Sequence, residues 1–425
     1  MLKSLTVDLW GTPIGSVLLN EDDPIAKFEY SEEILDLGVE LSPIAMPLSR
    51  RVYAFPDLPI QSFRGLPGLL ADSLPDKFGN KVVAAWMKSM NRNPDDLNSL
   101  DRLAYTGKRG MGALEYRPAL LDAEDRDERT SVDELAALAD EVLKMRQDAR
   151  ANLTEGTNRF AAILRVGSSA GGARAKALIG WNEKTGEVRS GQVRLPPEFG
   201  SWLVKFDGLD GNGDKEGDDK WGYGRVEYAY YLMAKAAGIN MMECRLWNRR
   251  HFMTRRFDRT ADGRKLHMQT LGALAHFDFN DSRSYSYEQA FHVLRTLVVD
   301  QRENAELFRR MVFNVVAWNC DDHVKNISFL MDRNGDWKLS PAYDACYAYN
   351  PAGDWTSRHQ MSINGRRIDI ADEDMIACAK HANLSERKAR AIIDEVRDAV
   401  REWPRFAAEA EVRDAFAGIA DQLKL

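Results

Sequence analysis

Residues 318–344 read WNCDDHVKNISFLMDRNGDWKLSPAYD, and the rest of the chain is best read outward from them. Asp321 is followed five positions on by Asn326, and Asp344 lies a further eighteen along. Between the last two stands Asn334-Gly335, the dipeptide most favoured by a type I′ hairpin turn, flanked by strand-like NISFLM and WKL. Folding about that turn returns Asn326 and Asp344 to face one another, an amide oxygen beside a carboxylate, both hard donors suited to Mg²⁺. Asp321, just before the hairpin, becomes a third polar group directed at the same point. Phosphoryl transfer needs this set: one carboxylate to take or orient the proton of an attacking hydroxyl, and two oxygen donors for the metal that neutralises the phosphates. The plainer alternative, Asp and Asn decorating a helix end and a turn, suffices for either fragment alone but less well for both in this order.

The Asp-x-x-x-x-Asn spacing is also that of the protein-kinase catalytic loop. A second piece fits it. In SWLVKFDG, Lys205 sits inside an otherwise apolar strand; period-two alternation could turn it to solvent at a sheet edge, whereas a buried ammonium is costly unless it meets an anion such as an ATP phosphate. Upstream, GSSAGGARAK (residues 167–176) is a loop small enough for backbone N–H groups to approach a phosphate, although it is neither a Walker A sequence nor GxGxxG. The same loop formally matches the G-x-S-x-G nucleophile elbow of hydrolases, with His323, His359 or His381 as downstream base. The text after it does not alternate strand and helix as that doubly wound fold requires. Asp210–Asp214 begins like an EF-hand loop, but Lys215 and Trp221 occupy the required Gly and Glu positions. The arginines between Arg249 and Arg259 could touch a phosphate backbone but read rather as a solvated strand face paired with local acids.

Composition sets the frame. The 425 residues predict roughly two to three domains, and 44% hydrophobic with 29% charged residues is a globular balance. The 58 Lys and Arg against 65 Asp and Glu give a net charge of −7, so a dominant basic nucleic-acid face is not expected. Four scattered cysteines form no C-x-x-C pair, which fits a reducing cytosol and a cytoplasmic protein. No secretory signal or membrane-length apolar run is visible, so no membrane association is expected. Short strands and turns fill Thr6–Ala54; a helix is expected from Asp76 to near Asn91, and a capping box at Ser131 and Glu134 starts another. Strand text runs through FAAILRV, KALIGW and SWLVKF, and helix dominates after Glu288. The expected division is 1–125, a β-rich module; 126–268, a lobe with the Gly-rich loop and strand lysine; and 269–425, a helical lobe with the catalytic loop and hairpin.

Together these residues resemble the HipA family, serine/threonine kinases that serve as toxins of bacterial toxin–antitoxin modules. The likeness covers nearly the whole chain. It rests on Asp321-x-His323-x-Lys325-Asn326 followed by Pro341-x-Tyr343-Asp344, with support from Ser169, Gly172 and Ala173, Lys205, Glu227-Tyr228, Arg256-Phe257-Asp258-Arg259 and Met268-Gln269-Thr270-x-Gly272. Gly15, Phe63, Gly65, Leu69-Leu70, Asp72-Ser73 and Leu74-Pro75 resemble the module this family adds to its kinase lobes.

The resemblance implies an α+β, two-lobe, protein-kinase-like fold that uses ATP and Mg²⁺. It implies Asp321 as catalytic base within the motif that includes His323 and Lys325, Asn326 and Asp344 as Mg²⁺ ligands, and Lys205 as the phosphate lysine. Ser169, Ala170, Gly171, Gly172 and Lys176 would form the nucleotide loop, Arg255 and Phe257 the adenine hinge, and Ser169 (or Ser168) the autophosphorylated serine. A phosphate there, at about −1.5 to −2 charges, would repel nucleotide and inactivate the enzyme. The implied substrate is an aminoacyl-tRNA synthetase, glutamyl-tRNA synthetase foremost, so that translation arrests. The implied partner is a HipB-like helix-turn-helix antitoxin, through which alone DNA is reached. The readings held beside this one are a small-molecule kinase of the aminoglycoside phosphotransferase type and a non-catalytic nucleotide-binding regulator.

Overall fold

The computed structural model describes residues 1–120, 129–144, 172, 174–191, 195–209, 221–298 and 300–423. Among these, the strands form three antiparallel sheets. The first joins β1 (Ser4–Leu9), β2 (Thr12–Leu18), β3 (Lys27–Tyr30) and β4 (Leu114–Arg117) in the order β3-β2-β1-β4. Leu9 pairs with Thr12 across Trp10-Gly11, whose φ of 53° and 86° supply the two left-handed residues a tight hairpin needs. In β3, Phe28 and Tyr30 point inward while Lys27 and Glu29 are exposed, the alternation of a sheet with one face covered.

The second sheet holds β5 (Arg129–Thr130), β6 (Lys176–Trp181), β7 (Val188–Ser190), β8 (Gly200–Lys205), β9 (Cys244–Trp247) and β10 (His251–Arg255), ordered β5-β7-β6-β8-β10-β9. Helices Lys77–Ser89 and Val132–Lys144 pack on it, joining Phe78, Val82, Leu135 and Val142 to Ala177, Ile179, Trp202 and Val204 in one core. Both helix starts were legible. Asp76 caps the first through Gly79 N–H at 2.6 Å, and Ser131 and Glu134 exchange the two capping-box bonds, each 3.1 Å. FAAILRV lies outside the described residues.

The third sheet, β11 (His267–Thr270), β12 (Ser328–Met331) and β13 (Trp337–Leu339), lies on the helical lobe. Helices Tyr223–Ala236, Tyr287–Leu297, Gln301–Val316 and Glu386–Arg401 build that lobe's core around Tyr230, Phe291, Phe308 and Phe313. Met331 instead belongs to the core of the N-terminal module, and Trp337 Nε1 donates to Glu40 O at 3.2 Å. Packing therefore couples the N-terminal module to both lobes.

The β12–β13 turn departs from the expected type I′. Asp332 N–H bonds to Asp336 O and Gly335 N–H to Asp332 O, each 3.2 Å, and the left-handed residue is Gly335 with φ 87°. This is a three-residue loop, Arg333-Asn334-Gly335, in which Asp332 Oδ1 accepts the N–H groups of Asn334 (2.8 Å) and Asp336 (3.1 Å). The Asp332 carboxylate stabilises the longer loop by satisfying those amides, a contribution that the Asn-Gly dipeptide does not reveal.

Candidate active site

Lys205 ends β8, and its ammonium contacts two carboxylates, Glu227 Oε1 at 2.5 Å and Asp344 Oδ1. Glu227 comes from the second turn of helix Tyr223–Ala236, among the buried Val226, Tyr230 and Met233. The Lys205 and Glu227 side chains are 15% and 5% exposed, so water screens the pair weakly. Burial opposes the ammonium charge, but Asp344 and then Glu227 outweigh it and hold Lys205 above its ordinary pKa. Burial likewise pushes Asp344 up, and the Lys205 ammonium overcomes it, with Lys176 and His323 adding in the same direction. The carboxylate thus stays ionised below its ordinary range. Sequence reasoning expected an anion for Lys205; the chain itself supplies two.

Asp344 follows β13, and its φ of 53° is left-handed, a backbone state that Asp tolerates better than most residues. The β12–β13 register pairs Phe329 with Leu339, and Ser340 N–H continues it to Ser328 O at 2.8 Å. Tyr343 Oη donates to Lys325 O at 2.6 Å, tying the return strand to the segment that carries Asn326. The return strand is thereby held beside the segment that precedes β12. The register itself places Asn326 nearest Ala342, and Asp344 turns back toward β8 instead of sitting directly opposite.

Between Asp321 and Asn326 the chain is a tight loop. Asn326 Nδ2 donates to Asp321 O at 2.7 Å, and His323 N–H bonds the same carbonyl at 2.9 Å. With its nitrogen so used, the Asn326 amide presents its oxygen as an acceptor. Asp321 Oδ1 accepts Trp355 Nε1–H at 2.6 Å and lies 4.0 Å from His323 Nε2. Lys325 Nζ stands 4.3 Å over the Phe279 ring. Beneath the loop, buried Asp322 accepts from Gln360 N–H at 2.7 Å and Tyr287 Oη–H at 2.9 Å, and its Oδ2 is 3.1 Å from His359 Nδ1. These bonds anchor the backbone immediately after Asp321.

The other expected nucleotide residues divide. Lys176 is the cross-strand partner of Lys205 in β6–β8, but its ammonium pairs with Asp76 Oδ2 at 3.1 Å, both side chains under 10% exposed (2% and 7%). Ser168, Ser169, Ala170 and Gly171 lie outside the described residues; Gly172 is described, with φ 88°. Arg255 closes β10, its N–H bonded to Glu243 O at 2.9 Å, while Arg256 N–H reaches Ser201 O at 2.9 Å. The Phe257 ring is 5.3 Å from that of Tyr343. Arg256 turns inward to a bidentate pair with fully buried Asp258, at 2.9 and 2.7 Å, and Asp258 also accepts from Arg259 and from Gly112 N–H, each 2.8 Å.

At the sequence level Glu227 entered only as part of the Glu227-Tyr228 motif and Trp355 not at all, and neither was given a role at the site. Glu227 carried a signal, since an acid within YGRVEYAYYLMAKA interrupts an apolar helix face. Trp355 carried none: it lies in an irregular segment with no period to mark its direction. For Mg²⁺, the chain offers an amide oxygen and an ionised carboxylate. Among the described residues no group of three or more His, Cys, Asp and Glu side chains is gathered for a metal. One amide and one carboxylate completed by phosphate oxygens and water is how Mg²⁺ is commonly held beside a nucleotide, so the residues fit.

A strand lysine clamped by a helix glutamate, facing a lobe that carries a catalytic-type loop and a hairpin carboxylate, defines a two-lobe, kinase-like α+β fold. The family models for the HipA N-terminal domain and the HipA-like C-terminal domain match residues 5–117 and 168–403, and the chain belongs to the HipA family. A solved structure of the same fold is HipA from the Shewanella oneidensis toxin–antitoxin complex of HipA, HipB and operator DNA. It is 18% identical, with a TM-score of 0.65 over 99% of this chain and 95% of that one. Among curated proteins, "Putative kinase Y4dM" of Sinorhizobium fredii is 25% identical over 266 residues, 58% of this chain and 60% of that protein. "Putative kinase Y4mE" of the same organism is 30% identical over 167 residues, 36% of this chain and 39% of that one. The chain thus spans less than two thirds of either relative. No described helix is long and apolar enough to cross a membrane.

Proposed function

We propose that this protein is an ATP-dependent serine/threonine kinase acting as the toxin of a toxin–antitoxin pair. The observation that carries this reading is the Lys205 ammonium, held between Glu227 and Asp344 at the edge of the lobe that presents Asp321 and Asn326. An ammonium kept charged and aimed by two carboxylates is suited to ATP phosphates, and Glu227 fixes its direction. Asn326 and Asp344 would hold Mg²⁺, which supplies charge neutralisation for the phosphates. Asp321 accepts the proton of the substrate hydroxyl as its oxygen attacks the γ-phosphorus and the bond to ADP breaks. Trp355 holds the Asp321 carboxylate in one orientation meanwhile. Arg255 to Phe257, between the lobes, is the hinge proposed to meet adenine.

The finer assignments are supported by family membership. A HipB-like antitoxin is the proposed partner, since the Shewanella HipA occurs with HipB and operator DNA. An aminoacyl-tRNA synthetase, glutamyl-tRNA synthetase first, is the proposed substrate. Ser169 (or Ser168) is the proposed autophosphorylation site. The test is transfer from [γ-³²P]ATP by wild type and Asp321→Asn, followed by phosphopeptide mapping. Label on a synthetase and on the loop serine with wild type alone is expected. Equal labelling by the variant rejects Asp321 as base, and label confined to small metabolites rejects a protein substrate.

A further inference from the structure

The segment Asp72-Ser73-Leu74-Pro75-Asp76 ends one helix of the N-terminal module and begins the next, and each terminal carboxylate reaches a different lobe. Asp72 takes both donors of Thr270, the N–H at 2.7 Å and the hydroxyl at 2.9 Å. Thr270 caps helix Leu271–Ala275, whose first two amides bond the catalytic segment: Leu271 N–H to Ile327 O at 2.8 Å and Gly272 N–H to Val324 O at 3.1 Å. Those carbonyls bracket Lys325 and Asn326. On the other side, Asp76 uses Oδ1 to cap its own helix and Oδ2 to hold Lys176, the cross-strand neighbour of Lys205.

The link between the two acids is stiff. Thr106 Oγ1 donates to Ser73 O at 2.9 Å, Asn80 Nδ2 donates to Pro75 O at 2.7 Å, and Pro75 has a fixed φ. Docking is close: Gly68 N–H donates to His276 Nε2 at 3.0 Å, and a Cβ on Gly68 would overlap the Ala273 carbonyl.

We propose that Asp72 and Asp76 are positioning residues, the two feet of a rigid strut by which the N-terminal module sets the spacing between the catalytic loop and the lysine strands. The inference rests on the kinase reading for its consequence, since the spacing matters where Lys205 and Asp321 act on one nucleotide. Correct separation is a large part of what pre-organisation contributes, and small misplacement costs rate out of proportion to lost contacts. A strut cut at one foot is cut altogether, so the two feet should behave as one unit.

The experiment compares Asp72→Asn, Asp76→Asn, the double variant and Pro75→Gly in the full chain, by ATP turnover and by amide hydrogen exchange. Pro75→Gly loosens the link while leaving both carboxylates in place. A strut gives about a tenfold loss of kcat/KM in each single variant, no further loss in the double, and faster exchange at Leu271 and Gly272 in Asp76→Asn, although Asp76 touches neither. Losses that multiply in the double variant, exchange changes confined to each mutated contact, or wild-type behaviour in Pro75→Gly overturn it. If wild type turns over no ATP, the kinase reading fails, and the remote exchange response still decides the strut.

Discussion

Lys205 and Asp344 are 139 residues apart in sequence and share one ion pair across the two lobes, with Glu227 gripping the same ammonium from a helix. Removing one partner of so enclosed a cluster leaves charge uncompensated, which costs far more than the intact pair contributes. Lys205→Met leaves two carboxylates facing each other. It should lower the melting temperature as well as reduce phosphoryl transfer at least a hundredfold. Glu227→Gln keeps a hydrogen-bonding partner and should mainly raise KM for ATP. Thermal melts beside steady-state kinetics check both.

Trp355 acts on Asp321 through a single indole N–H. Trp355→Phe keeps an aromatic side chain, a smaller one, and deletes the donor, so the carboxylate loses its orientation while the nucleotide contacts stay. A fall in kcat of about tenfold with KM for ATP unchanged is expected. An equal rise in KM would place Trp355 in nucleotide binding instead.

Asp258 has no exposed side-chain surface and holds Arg256, Arg259 and Gly112 together. Burial pushes its carboxyl up, and the two guanidinium groups pull it far below its ordinary value. Asp258→Ala strands the buried Arg256 and takes the carboxylate from half-buried Arg259, and should cost roughly 3–5 kcal/mol of stability in urea unfolding. Because Gly112 belongs to the N-terminal module, faster exchange near residue 112 should accompany it.

Acid stability follows from three histidines. Burial depresses His251, His267 and His276 from 6.5 to about 4 each, so the folded protein keeps them neutral while the unfolded chain protonates them. Their contribution is full above pH 6.5 and is lost as pH falls toward 4, by about 1.4 kcal/mol per pH unit for each histidine. Denaturation midpoints between pH 7 and 4.5 should fall accordingly. His276→Gln, which can still accept from Gly68 N–H, should remove about one third of the histidine share of that slope.

Sequence by itself determined what depends on neighbours along the chain. Asp76, Ser131 and Glu134 announce helix starts because capping is a contact within one turn, and Lys205 announces a buried anion because its strand is otherwise apolar. Asn326 and Asp344 could be expected near the two ends of one hairpin because a single turn relates them along the chain. Tertiary structure alone decided what depends on opposing surfaces: the grip of Glu227 on Lys205, Trp355 against Asp321, and Lys176 paired with Asp76. An ion pair or indole contact across the fold has no period and no fixed spacing. It exists only once the packed cores of the described residues bring the N-terminal module against both lobes, and that packing sets the distances on which the chemistry depends.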